Sequence, residues 1–404
     1  MDKEEKGNEE NAGKKIKKGK SEFEIARRKR KAKIVAGRTA KFIGAVLILG
    51  IVCVSVYLFV SNDIAGIISD RIAVGSAAGA SMPVDMNGES VTQTFYCGEA
   101  IGVLSDITVN LYAENGKQLL SYRHDMVDPV VETAGRRFLI YDHSGTKLIV
   151  RTRDSVLFEK EFNYSIISAN LSADGWLSVV TNAQRYTSQL HVWDSTYENE
   201  IFTWSSADEY IICAAADAET KVIAAATLSA DSYGDILTNI HTFFAESGNR
   251  IVSHTLKGQA VIDIAFNDKG EIKTICDSMA VLLTKTGDTV GSVLYSEPPV
   301  SVINVPGSPN SALIFDNFTK TRTVAVKFLD ENFKEGKEVS LKGKYVCSNG
   351  NENNVAVYCS GIANIFNYSG KRTAELDSEQ DALKIQLTKE NLYAVTRSDL
   401  CQIK

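Results

Sequence analysis

The sequence predicts an all-β fold, a β-propeller of eight, alternatively seven, four-stranded blades preceded by a single transmembrane helix. Three observations carry that expectation. A run of 19 residues near the N-terminus has no charge. After it, hairpins centred on polar turns recur about every 42 residues. Beyond residue 90 helical periodicity is nearly absent, which disfavours the α/β enzyme folds.

Residues 1–41 come first in the chain. They hold 15 Lys/Arg against 7 Asp/Glu, a net +8, whereas the remaining 363 residues hold 29 against 43 and carry −14. Such asymmetry implies that the two parts meet different surroundings. Residues 1–20 are almost devoid of apolar side chains and are expected to be disordered. Ser21 and Glu24 then form a capping-box pattern ahead of a basic helix. Its cluster, Arg27, Arg28, Lys29, Arg30, Lys31, Lys33, Arg38 and Lys41, is expected to meet anionic lipid headgroups, at about 1 kcal/mol per basic residue. The plainer reading is a topology signal alone. No nucleic acid is expected, because the tail lacks aromatic interleaving and a folded reader.

The run FIGAVLILGIVCVSVYLFV (42–60) follows. As a helix it is about 28 Å long, close to the hydrocarbon thickness of about 30 Å. Positive charge precedes it and Asp63 is the first charge after it, which places the N-terminus in the cytoplasm and the bulk outside. A cleaved signal peptide fits less well: its apolar region is shorter, and the small-residue stretch begins only at Gly75. The expected localisation is therefore the cell membrane, single-pass, with residues 42–60 in the lipid bilayer as a signal anchor.

Residues 61–89 read as an extracytoplasmic stalk and linker. Ile64, Ile67, Ile68 and Ile72 recur at near-helical spacing, and a Gly/Ala/Ser-rich stretch follows. The propeller domain is then 90–404. Hairpins centre on Gly116, Asp154, Tyr197, Gly248, Gly287, Gly336 and Gly370, at steps of 38, 43, 51, 39, 49 and 34 residues. Glycine supplies the positive φ that most such turns need. Each hairpin is preceded by another pair of apolar runs, as in VIDIAFNDKGEIKTICDS (261–278) and ISANLSADGWLSVV (167–180). Four strands per unit at this period is a propeller signature. A pair of β-sandwiches would not give the regular spacing. The last segment, 381–404, adds three strands, and SVTQTFY (90–96) is expected to pair with them and close the ring. The seam is expected between the strands around Val91–Leu104 and those around Leu392–Ile403, in which Cys97 and Cys401 fall as expected ring-closure neighbours.

Chemical motifs are sparse. Cys347 and Cys359 flank a hairpin and are candidates for a disulfide, against the alternative of two small buried hydrophobes. No cysteines make a Cys-x-x-Cys pair, the five histidines are scattered, and no nucleophile elbow, phosphate loop or dinucleotide pattern occurs. Catalytic, cofactor and metal residues are therefore not assigned, and no cofactor is expected. The tryptophans Trp176, Trp193 and Trp204 fall in one repeat, unlike the dispersed docking motifs of quinone-cofactor propellers.

The basic tail, signal anchor and small-residue stalk, together with RRFLIYDHSG (136–145), GWLSVVTNAQRYTSQLHVWD (175–194) and the terminal LYAVTRSDLCQI, resemble a family of Gram-positive bacterial single-pass membrane proteins. That resemblance implies an extracytoplasmic β-propeller and carries no established activity and no functional residues. Two function classes remain: a non-catalytic module that binds a protein or cell-envelope component, and an exported enzyme acting on a glycan or small molecule.

Overall fold

The computed structural model describes residues 27, 29, 30, 50, 64–75, 82–317, 322–334, 336–378 and 381–404. The chain divides into two units, Met1–Gly66 and Ile67–Lys404. Of the first, few residues are described; Arg27, Lys29 and Arg30 are helical and exposed. The second is the folded body. Among the described residues no helix is long and apolar enough to cross a membrane, and the expected span 42–60 lies, apart from Gly50, outside them.

The body is a propeller of eight four-stranded antiparallel sheets, which settles the blade count at eight. Seven blades follow simple meander order from the channel outward: 91–123, 129–161, 166–206, 210–257, 261–294, 301–342 and 345–377. All seven hairpins read from the sequence are the outer hairpins of these blades. In blade 3, Ser188–Trp193 pairs with Glu200–Ser206, with Leu190 opposite Trp204. Tyr197, at its turn, takes φ 59° without being glycine. Its hydroxyl donates to Gly175 O at 2.7 Å, and Arg137 stacks over its ring at 5.5 Å.

Blade 8 departs from the expectation. Lys384–Leu387, Leu392–Val395 and Asp399–Ile403 supply its inner three strands, and the outermost is Val84–Asp85 from the far end of the body. Val84 pairs with Leu400 and Asp85 with Asp399. The segment 90–96 does not pair within the blade 8 sheet, although it lies across the seam from it. It is instead most of the innermost strand of blade 1, Val91–Cys97. The physical reason is edge protection: the open edge left by the terminal strand is covered by the N-terminal one, so the sheet has no long free edge.

Burial explains which strands were legible. Each sheet is sandwiched between two neighbours, so middle strands such as Ala100–Ser105, Leu177–Thr181 and Ile272–Cys276 are buried at every position. Outermost strands alternate, as Gln118–Arg123 and Val156–Glu161 do, because one of their faces is wet. Eight separate apolar clusters fill the eight junctions. That between blades 8 and 1 contains Met86, Ile101, Val103, Tyr393, Val395 and Leu400.

Candidate functional site

Strand direction defines two faces. Face A collects the turns joining first to second and third to fourth strands of each blade. Face B collects the second-to-third turns and the blade-to-blade connections.

Between the faces, polar side chains stitch one blade to the next. Gln93 clasps the Val131 backbone, donating to its carbonyl at 2.8 Å and accepting from its N–H at 3.1 Å. Ser168 donates to Ile212 O at 2.8 Å. Asn304 donates to Asp263 at 2.9 Å, and Ser348 to Ser301 at 2.8 Å. Asn349 and Gln386 exchange amide bonds, and Thr94 donates to Ile385 O at 2.9 Å across the ring seam. The channel is thus a closed, stitched core.

Three charged groups sit in this core. Glu132, on the innermost strand of blade 2, has its pKa pushed up to about 8, first by burial and then by the nearby Asp263 charge. Asp263 is raised by burial, opposed by hydrogen bonds from Asn304 and the Ile264 N–H. Lys273 is fully buried; its ammonium donates to Val305 O at 2.9 Å, and burial lowers its pKa to about 7.

On face A, the first-to-second turns of blades 3 to 6 surround a cavity of about 210 Å³. Asp174, Asp217, Glu219 and Asp268 line its acidic rim, with Phe266 and Gly307 at its side. Asp217 is committed to its own turn, accepting from the Thr220 N–H and hydroxyl. Among the described residues no group of three or more His, Cys, Asp or Glu is placed to hold a metal ion. The cavity is smaller than the roughly 300–1,000 Å³ of a small-molecule site.

Elsewhere on face A, over blades 1 and 2, lies the helix α1 (Ile64–Gly75). Its Asp70 is only 4% exposed and is gripped by two guanidinium groups, Arg136 and Arg153, the latter at 2.8 Å. Ser69 accepts a further bond from Arg153 at 3.0 Å. The isoleucines expected to mark an amphipathic stalk do not make this contact: Ile67, Ile68 and Ile72 are exposed, Ile72 by 63%.

Face B carries most of the exposed large apolar side chains. Of the 18 among the described residues, twelve lie at this face, three on α1 and three at the rim of face A. Val127 is 94% exposed, Tyr233 91% and Leu294 72%, joined by Ile107, Tyr164 and Tyr186. These side chains sit on the second-to-third turns and blade-to-blade connections around the ring.

The cysteines expected to matter are held apart. Cys347 lies opposite Tyr358 and Cys359 opposite Tyr345, so the two point to opposite faces of blade 7. Cys347 packs toward blade 8 and Cys359 toward blade 6. Both are free thiols, which burial pushes up to about 12. Cys97 packs toward blade 2 and Cys401 toward blade 7, so two blades separate these free thiols although their strands flank the seam. Of the basic cluster, Arg28, Lys31, Lys33, Arg38 and Lys41 lie outside the described residues. His191, in the third strand of blade 3, bonds Glu200 at 2.5 Å and stacks on Trp193.

A model described as a family of unknown function (DUF5711) matches residues 82–404. No curated protein matches the chain. Among solved structures, the C-terminal WD40 domain of Sif2 is 10% identical, with TM-score 0.57, covering 81% of this chain and 99% of that one. BamB from Moraxella catarrhalis is 14% identical, with TM-score 0.49, covering 80% of this chain and 98% of that one.

Proposed function

The chain belongs to DUF5711, a family of unknown function, and we propose that it acts as a membrane-anchored, extracytoplasmic, non-catalytic module that binds a protein or cell-envelope component. The observation that carries the binding role is the concentration of exposed apolar and tyrosine side chains on face B. Tyrosine is enriched at interface centres because it contributes large contact area at small entropic cost. A rigid stitched ring presents such groups without reorganisation, which favours affinity. The anchor in this reading is the charge-free run 42–60, with the basic tail on the cytoplasmic side. The alternative, an exported enzyme for a glycan or small molecule, has in its favour only the acidic rim of the face A cavity, whose 210 Å³ is small for such a substrate.

The test is site-specific photo-crosslinking in intact membranes. Tyr186→benzoylphenylalanine and Tyr233→benzoylphenylalanine probe face B; Asp217→benzoylphenylalanine probes the face A cavity. Discrete protein or envelope adducts from the face B positions are expected. Adducts confined to position 217 would move the site to face A and revive the small-ligand reading.

A further inference from the structure

We infer that the propeller is held with face A toward the bilayer, α1 lying in the lipid interface with Ile67, Ile68 and Ile72 turned to the membrane. The inference rests on the anchored reading given above and adds the orientation and the lipid contact.

Three independent observations lead there. The first is the direction of the chain. Val84–Asp85 is the outermost strand of blade 8 and runs antiparallel to Asp399–Ile403. In every blade the outermost strand runs from face A to face B, so the chain enters the ring from face A. The second is reach. The charge-free run ends at Val60 and α1 begins at Ile64. The three residues between span at most about 10 Å, so the start of α1 stays near the membrane surface. The third is the docking of α1. Asp70 is buried between Arg136 and Arg153, from the first-to-second and third-to-fourth turns of blade 2. At about 100° per residue, the three isoleucines share an arc of about 140°, and Asp70 points about 130° from its middle. The ring therefore takes the Asp70 side of the helix and leaves the three isoleucines exposed on the other, with Arg71 among them reaching to Glu99.

The charge around α1 fits a headgroup layer. Arg71 and Lys389, both largely exposed, share one carboxylate, Glu99, at 3.6 and 3.1 Å. Both cations keep about two thirds of their side chains exposed, where anionic headgroups can meet them. The acidic rim of the face A cavity lies over blades 3 to 6, away from this contact. An interfacial helix with aliphatic residues on one side and polar ties on the other is the form that lies in the headgroup region. Face B, with its apolar and tyrosine side chains, then points away from the membrane toward its partner.

The experiment uses the full-length chain in vesicles of phosphatidylglycerol and phosphatidylcholine. Ile68→benzoylphenylalanine and, in a second preparation, Ile72→benzoylphenylalanine are photolysed and scored by mass spectrometry for lipid adducts. Tyr233→benzoylphenylalanine on face B is the comparison, and alkaline carbonate washing scores anchoring separately. Lipid adducts at positions 68 and 72, with their loss at position 233, are expected. A chain that resists the wash yet gives no adduct at 68 or 72, or gives adducts at 233 instead, would overturn the orientation and leave the anchor intact. A chain that washes free would overturn the anchored reading and the orientation with it.

Discussion

At the scale of single residues, the informative positions are buried charges that no motif marks. Glu132 is one. In the folded ring its pKa stands at about 8, because burial and the nearby Asp263 charge both disfavour the carboxylate. In the unfolded chain it titrates near 4.5. Between those values the folded state holds a proton that the unfolded state has released, so stability falls as pH rises through this window. Each unit is worth about 1.4 kcal/mol before water in the channel screens it, so the full effect is a few kcal/mol. Glu132→Gln is therefore expected to raise Tm above pH 8 and to leave it unchanged below about pH 4.5. Melting curves across pH check this; a Tm difference independent of pH would assign the effect to packing. Lys273 acts with the opposite sign. Its lowered pKa, about 7, makes stability rise between that value and the ordinary lysine value of 10.5, a contribution common to both chains that drops out of the Tm difference. None of this was legible beforehand. Glu132 sits in PVVETA and Lys273 in IKTIC, strands whose charges look solvent-facing until the ring closes around them.

At the scale of elements, the outer hairpins were legible and the closing strand was not. Gly116, Gly248, Gly287 and Gly370 all take positive φ, and the alternating outermost strands announce themselves because one face is wet. Val84–Asp85 has only two residues, too short for any periodicity. It is placed by what it touches: Met86, buried in the seam, donates its N–H to Ser398 O at 2.7 Å, and Met82 and Val84 pack against the same cluster. A chain starting at residue 82 is therefore expected to melt as one cooperative unit. One starting at Met86, which looked sufficient from sequence, should lose the outer strand of blade 8. Burying an aliphatic side chain is worth about 1.5–3 kcal/mol, so the loss of Val84 and Met82 should lower Tm clearly. Removing the last 14 residues deletes two strands of blade 8 and should abolish the cooperative transition. Calorimetry on the three chains tests the seam, and equal melting of the first two would show that Val84–Asp85 adds nothing. The helix α1 teaches the same lesson from the other side. Its isoleucines gave the periodicity, yet its docking is made by Ser69, Asp70 and Arg71, the three polar residues of an otherwise apolar segment.

At the scale of the whole molecule, topology and orientation are the open variables, and the charge asymmetry decides the first expectation. Protease added to cells stripped of their wall is expected to remove residues beyond 61 and to spare a tag on the basic tail. Protection of the propeller in that assay would place the ring, and its partner, in the cytoplasm. The sequence by itself determined the architecture: period, turn chemistry and alternation are local properties, and a ring of near-identical sheets repeats them often enough to be read. It also marked out the one segment with the length and polarity of a membrane span. Only the tertiary structure decided the blade count, the identity of the closing strand, the separation of Cys347 from Cys359, and the difference between the two faces. These depend on which residues meet across distances of more than 300 positions, as Val84 and Leu400 do. A propeller brings its ends together by closure, and closure leaves no local trace in the chain. The apolar positions of face B fall one or two to a loop, so they form a surface only when eight blades set those loops side by side.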